Sequence, residues 1–164
     1  MDFSDTPNEA AFREEARNWL QKNAPTAKEL EGLGEVAAAK LWQKRKFDAG
    51  WACITWPREF GGRGATPIEQ VIWGQEESRI PGLPGGVFSI GQGMAAPTLM
   101  TYANDEAKAR FLPKLASGEE IWCQLFSEPA GGSDLAALRT RAVKDGGDWI
   151  SNGQKISTAG AHYS

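Results

Sequence analysis

Apolar residues in the first hundred positions return at helical spacing. Phe12, Ala16, Trp19 and Leu20 recur with charged residues between them, which predicts a helix. Thr6-Pro7-Asn8-Glu9 in front of that run has the layout of a capping box with proline at the first helical position, and Pro25 lies beyond the end. A second helix is predicted from Glu35 to Ala49, stopping at Gly50. Thr66-Pro67-Ile68-Glu69 repeats the cap signature, with Ile68, Val71 and Ile72 as the apolar face of a third helix. The run Pro81-Gly82-Leu83-Pro84-Gly85-Gly86 breaks the chain. Residues Gly91 to Tyr102 are small and apolar enough for a helix buried on several sides. Asn104 or Asp105 caps a further helix carrying Ala107, Phe111 and Leu112, which Pro113 is expected to end or kink.

Past Gly118 the period changes from that of a helix to that of a strand. Ile121 to Phe126 reads as a strand, and Leu138 to Lys144 alternates. Asp145-Gly146-Gly147-Asp148 is a hairpin turn, and Trp149 and Ile150 lead to a second turn at Asn152-Gly153, followed by Gln154 to Ser157. The prediction is therefore an α+β chain, helices first and an antiparallel meander second, with a boundary near residues 118–121. The sequence stops at Ser164 a few strands into the sheet, leaving an open edge, which is the expectation for a fragment.

Composition narrows the class. Of 164 residues 41% are hydrophobic and 24% charged, with a net charge of −3 and lysines and arginines scattered, so a nucleic-acid footprint is not expected. No apolar stretch approaches the ~18–20 residues of a membrane span, and the start, Met1-Asp2-Phe3-Ser4-Asp5, has no secretory signal pattern. Cys53 and Cys123 read as reduced core residues of a cytoplasmic protein. His162, the only histidine, has no partner at metal spacing, so neither a metal site nor a base is expected there. Lys44-Arg45-Lys46 reads as a solvated helix face. Most of the seven tryptophans belong in a core, with some left for an interface or a ligand-facing surface.

The most informative chemistry lies in Ser127-Glu128-Pro129-Ala130-Gly131-Gly132-Ser133-Asp134, where an apolar run feeds a turn of small residues bracketed by two hydroxyls. Such a turn lets main-chain N–H groups approach an anion or the polar edge of a ring. Taken alone, a Pro-Gly-Gly segment is usually only a turn. Glu128 and Asp134, which flank it, fit turn and cap roles.

Several segments in order resemble one family. Gly50-Trp51 through Trp56-Pro57-Arg58-Glu59-Phe60-Gly61-Gly62-Arg63-Gly64, then Phe111-Leu112-Pro113-Lys114-Leu115 with Gly118-Glu119, then the Ser127–Asp134 loop and Asn152-Gly153-Gln154-Lys155 resemble the N-terminal part of the acyl-CoA dehydrogenases. These are flavoenzymes that desaturate acyl-CoA thioesters between the α and β carbons. The Trp-Pro pair and the Gly-Ala-His-Tyr run at 160–163 are most similar to bacterial branches that handle unusual or bulky acyl groups. The resemblance implies an all-α N-terminal domain over 1–119, then part of an antiparallel, β-barrel-like middle domain over 120–164, with the C-terminal helical domain absent. It implies FAD as cofactor, an acyl-CoA substrate, an electron-transfer flavoprotein as acceptor, assembly into a homo- or hetero-oligomer, and a place in fatty acid or lipid metabolism.

Carried over by position, the resemblance puts Gln124 and Phe126 beside the isoalloxazine. The Phe126 and Ser127 backbone and the Ser127 hydroxyl fall at its pyrimidine end, and Ser133 at the diphosphate and near the pantetheine. Leu125, Gly132, Ser157 and Thr158 complete the expected cofactor set. Ser133 and Ser89 are the expected substrate contacts, Ser89 opening a segment to Pro97 that fits either an acyl tunnel or a buried helix. No catalytic residue is assigned in this chain, because the family's glutamate base lies in the C-terminal domain, so the chain alone is not expected to turn over substrate. Two positions depart from the family pattern: Ala130 where glycine is usual, and Ser157 where tryptophan is usual, with Thr158 or Ala159 at the following hydroxyl position depending on the gap. The alternatives are a catalytically inactive short subunit or degenerate paralogue that binds a dehydrogenase partner, and an oxidase or monooxygenase on the same fold.

Overall fold

The computed structural model describes residues 4–164; Met1, Asp2 and Phe3, part of the N-terminal stretch read above, lie outside them. The chain forms two compact units, one ending at Ile121 and one running Trp122–Ser164.

The first unit is helical. α1 (Pro7–Asn23) opens on Thr6, whose hydroxyl accepts from the Glu9 N–H while the Glu9 carboxylate accepts from the Thr6 N–H. The same reciprocal cap starts α4 (Pro67–Glu77) at Thr66 and the short α2 (Ala27–Leu30) at Thr26. Among the described residues α2 was not legible from the periodicity, since one turn has no period to show. α3 spans Glu35–Asp48. Between α3 and α4 the chain folds on itself: Arg63 and Ala65 both donate their N–H to the Ile54 carbonyl, and Gly64 donates to that of Trp56.

Phe12, Ala16 and Leu20 of α1 meet Trp42 of α3, Trp51, Ile54, and Ile72 and Trp73 of α4 in one core. Each large side chain buried there contributes about 1.5–3 kcal/mol. Trp51 stacks on Trp73 with ring centroids 4.6 Å apart, and Trp19 lies within 5.9 Å of Trp42, Trp51 and Trp73. Five of the tryptophans thus belong to this unit's interior: Trp42, Trp51, Trp56 and Trp73 are buried, and Trp19 is packed against them. Glu76 is buried where α1 meets α4, accepting from Arg17 at 2.8 Å and from Arg13 at 3.1 Å, with Arg79 at 3.6 Å. Chiefly through the Arg17 contact, its carboxyl is held below the usual carboxylate range.

Four expectations need correction here. The buried face of α4 is Ile72, Trp73 and Glu76, whereas Ile68 and Val71 are 47% and 52% exposed. Residues 91–102 are not one buried helix: Gly91–Ala95 winds as a π-helix, α5 (Ala96–Tyr102) follows, and only Gly91 and Ala96 are buried. Pro97, which has no N–H to donate, sits just past the change in winding. α6 (Asp105–Ser117), capped by the Asn104 side chain on the Ala107 N–H, runs through Pro113 to Gly118. Packing of Leu112, Leu115 and Ala116, with Gln43 Nε2 donating to the Ala116 carbonyl at 2.7 Å, outweighs the proline's ~3 kcal/mol penalty. Finally, the Lys44–Lys46 cluster is paired: Lys44 with Asp48, Arg45 with Glu29, Lys46 with Glu77.

The second unit holds the sheet. β1 (Arg141–Asp145) and β2 (Asp148–Asn152) pair antiparallel with Val143 opposite Ile150, joined by the predicted Gly146-Gly147 turn. Ile121–Phe126, expected as a strand, forms no ladder; Gln124 alone makes a bridge, to Ala159. Asn152-Gly153 is likewise not a turn: Gly153 passes against Thr140, where a Cβ would collide with that side chain. No helix among the described residues is long and apolar enough to cross a membrane.

Candidate functional site

In the second unit residues 124–127 and 156–159 are tied together by main-chain hydrogen bonds. The Gln124 N–H donates to the Ala159 carbonyl at 3.2 Å, and the Ile156 N–H donates to the Ser127 carbonyl at 2.9 Å. The two bonds lie three residues apart, not the two of a regular antiparallel ladder, with Ser157 in a left-handed conformation between them, so they tie 124–127 to 156–159 at two separate points. Six residues expected at a cofactor, Gln124, Leu125, Phe126, Ser127, Ser157 and Thr158, therefore stand together. Gly132 joins them: the position a Cβ would take on it lies 3.7 Å from Ser127 Oγ. Ser133 follows as an exposed residue of the same turn.

The turn is closed by its main chain. Glu128 and Gly131 exchange N–H···O=C bonds of 2.8 and 3.1 Å. Gly131 is needed for space, since a Cβ there would come 2.8 Å from the Asp134 carbonyl and 2.9 Å from Ala137 Cβ. Ala130 has no positive φ, so alanine in place of the family's usual glycine brings no strain. Ser157 does have one, φ 53°, in the left-handed region that favours glycine.

Glu128 anchors the arrangement from beneath. Its carboxylate is buried and accepts from Lys155 Nζ at 2.8 Å, the Arg139 N–H at 2.6 Å and the Thr140 N–H at 3.1 Å. Lys155 first, then the Thr140 side chain and the N–H groups of Arg139 and Thr140, hold its carboxyl at about 2. Asp134 caps the single turn Leu135–Ala137 by accepting from the Ala136 N–H at 3.1 Å. Both acids thus have the turn and cap roles that the sequence suggested. The Lys155 link was not legible, because nothing in a Gln-Lys-Ile context marks a lysine as the partner of a carboxylate 27 residues away.

These contacts leave a surface of donors. Among the described residues the N–H groups of Leu125, Phe126, Ser127, Gly132 and Ser133 meet no hydrogen-bond acceptor. Phe126 beside them is 66% exposed. A face with main-chain donors, two serine hydroxyls and an open aromatic ring, and with its nearby carboxylates already engaged, suits the acceptor-bearing edge of a planar ring and a diphosphate. The residues fit a flavin dinucleotide.

Ser89 belongs to the other unit. It is exposed and lines a cavity of about 420 Å³ together with Trp51, Cys53, Trp56, Glu77 and Gln92. Glu77 Oε1 there accepts from Trp42 Nε1 and Lys46 Nζ, each at 3.1 Å. Burial pushes the Cys53 thiol up to about 12, so it offers no thiolate at neutral pH. Both cysteines are free thiols.

Comparison with known proteins matches residues 6–119 to the acyl-CoA dehydrogenase N-terminal domain. Acyl-CoA dehydrogenase IpdE1 of Mycobacterium tuberculosis is 38% identical over 161 residues, covering 93% of this chain and 42% of that protein. The chain thus spans less than half the length of the curated relative. Among solved structures, the ChsE4-ChsE5 complex from Mycobacterium tuberculosis superposes with a TM-score of 0.73 at 35% identity, over 95% of this chain and 39% of that one. A glutaryl-CoA dehydrogenase from Mycobacterium smegmatis in complex with FADH2 gives 0.63 at 25%, over 94% and 39%.

Proposed function

The chain belongs to the acyl-CoA dehydrogenase family, and on that premise we propose that it supplies the flavin-side wall of an FAD-dependent oxidoreductase that introduces a double bond between the α and β carbons of an acyl-CoA thioester. The observation that carries this reading is the pair of main-chain bonds that tie 124–127 to 156–159, with N–H donors beside an exposed Phe126.

In this reading Gln124, Leu125 and Phe126 hold the ring, with Ser157 and Thr158 on the facing segment. The Ser127 N–H and hydroxyl donate at its pyrimidine end, and Gly132 and Ser133 donate to the diphosphate. FAD, when bound, supplies the acceptor for the β-hydride. Donors fixed before reaction stabilise the negative charge that reduction brings to that end. No residue of this chain is given the α-proton; that base belongs to the part of the family's length beyond these residues. Ser133 and Ser89 are proposed as substrate contacts, Ser89 through the cavity it lines. An electron-transfer flavoprotein as acceptor and a homo- or hetero-oligomer follow from the family. The ChsE4-ChsE5 relative is itself a complex.

The test is titration of the folded chain with FAD, followed by flavin fluorescence, for the native sequence and Ser127→Ala. Saturable binding is expected, weakened about 5- to 10-fold in the variant, the value of one hydrogen bond. A chain that is folded by circular dichroism yet binds no FAD sinks this reading. The rival then stands: a short subunit that associates with a dehydrogenase partner without flavin.

A further inference from the structure

We propose that Lys155 is a positioning residue for the cofactor: it grips the Phe126 carbonyl and thereby fixes the direction of the Ser127 N–H. The inference rests on the FAD reading above. Lys155 Nζ donates to the Phe126 carbonyl at 3.1 Å and to Glu128 Oε1 at 2.8 Å. The Phe126 carbonyl and the Ser127 N–H belong to one planar trans peptide unit, so they point in opposite directions and turn together. Holding one aims the other.

The neighbouring peptide does not need this help. Its carbonyl, on Ser127, takes the Ile156 N–H at 2.9 Å, and its N–H, on Glu128, gives to the Gly131 carbonyl at 2.8 Å. The main chain therefore locks the peptide after Ser127 at both ends. The one before it is held at its carbonyl by Lys155 alone, and its N–H meets no acceptor among the described residues.

Glu128 keeps the lysine in place. With the N–H groups of Arg139 and Thr140 also on its carboxylate, Glu128 is tied to main chain 11 and 12 residues further on. An ammonium on a carbonyl also polarises the peptide and strengthens its N–H as a donor. Lys155 thus acts on the flavin through the Ser127 peptide, without touching it.

Two measurements on the chain test this. NMR relaxation of the Ser127 amide reads the positioning without flavin: a rigid order parameter near ~0.85 in the native sequence is expected to fall toward ~0.6 in Lys155→Met. FAD titration reads its use. Affinity is expected to fall about tenfold in Lys155→Met and to return to within about threefold in Lys155→Arg, whose guanidinium keeps the charge and offers donors for two acceptors. It should stay low in Lys155→Met/Glu128→Gln, where no unpaired carboxylate remains. An unchanged Ser127 order parameter in Lys155→Met overturns the proposal, whatever the affinities. Recovery of affinity in the double variant also overturns it, because Lys155 would then serve only to neutralise Glu128. Absence of FAD binding by the native chain overturns the cofactor reading, and with it the use assigned to Lys155, even where the amide loosens.

Discussion

The guanidinium carbon of Arg63 lies 3.9 Å from the centroid of the Trp51 ring. The same side chain reaches Glu15 of α1 at 2.8 Å, so one residue of the loop between α3 and α4 clamps the aromatic core to the first helix. A cation over an indole face, partly shielded from water, contributes about 1–2 kcal/mol. Arg63→Met, which keeps the length and loses the charge, is expected to lower stability by that amount in urea unfolding. A midpoint unchanged within error means that the contact is geometry without energy.

Two glycines of that loop serve different ends. A Cβ on Gly62 would collide with the Trp56 carbonyl, whereas Gly64 faces open space but has φ 67°. Gly62→Ala is therefore expected to cost about 2–3 kcal/mol, because backbone must move. Gly64→Ala should cost only about 1 kcal/mol, for the left-handed conformation alone. Thermal melting of the two variants decides the order; equal losses contradict the close approach at Gly62.

Glu128 carries a pH dependence. Its carboxyl stands at about 2 in the folded chain against an ordinary 4.5. Its stabilisation is complete above pH 4.5 and is lost as pH falls toward 2. The amides of Arg139 and Thr140, which donate to it, should lose exchange protection over that window, after correction for intrinsic rates. In Glu128→Gln the dependence should vanish. Protection that stays level down to pH 2.5 rules out the charged carboxylate as the anchor.

Ser157 sits at φ 53° where the family usually has tryptophan. A bulky side chain is the poorest tenant of that conformation, and glycine the best. Ser157→Gly should leave the chain unchanged or up to about 1 kcal/mol more stable, while Ser157→Trp loses about 1 kcal/mol. Tighter FAD binding by Ser157→Trp at undiminished stability contradicts the left-handed geometry and favours the gapless match to the family pattern.

Local signals were the legible ones. Caps at Thr6 and Thr66 and the Gly146-Gly147 turn all depend on neighbours in sequence, and they fell where the residues implied. What failed depended on distant partners. Val71 and Ile72 are equally apolar, and only the packing of α4 on α1 decides that Ile72 is the buried one. Pro113 reads as a helix end until Leu112, Leu115 and Ala116 are seen to hold it in the helix. At the candidate site the residue types of 124–133 and 157–158 were visible. The main-chain bonds that join them, and the Lys155–Glu128 pair, are contacts 27 to 35 residues apart, which no window of sequence contains.

The tryptophans give the chain a built-in optical division. Trp19, Trp42, Trp51 and Trp73 lie close enough to share excitation before any of them emits, so the first unit should show coupled near-ultraviolet dichroism and blue-shifted emission. Trp149, two-thirds exposed on β2, should emit to the red and yield readily to iodide quenching. Melting of the helical unit and of the hairpin can therefore be followed as two separate colours in one cuvette, with no label attached.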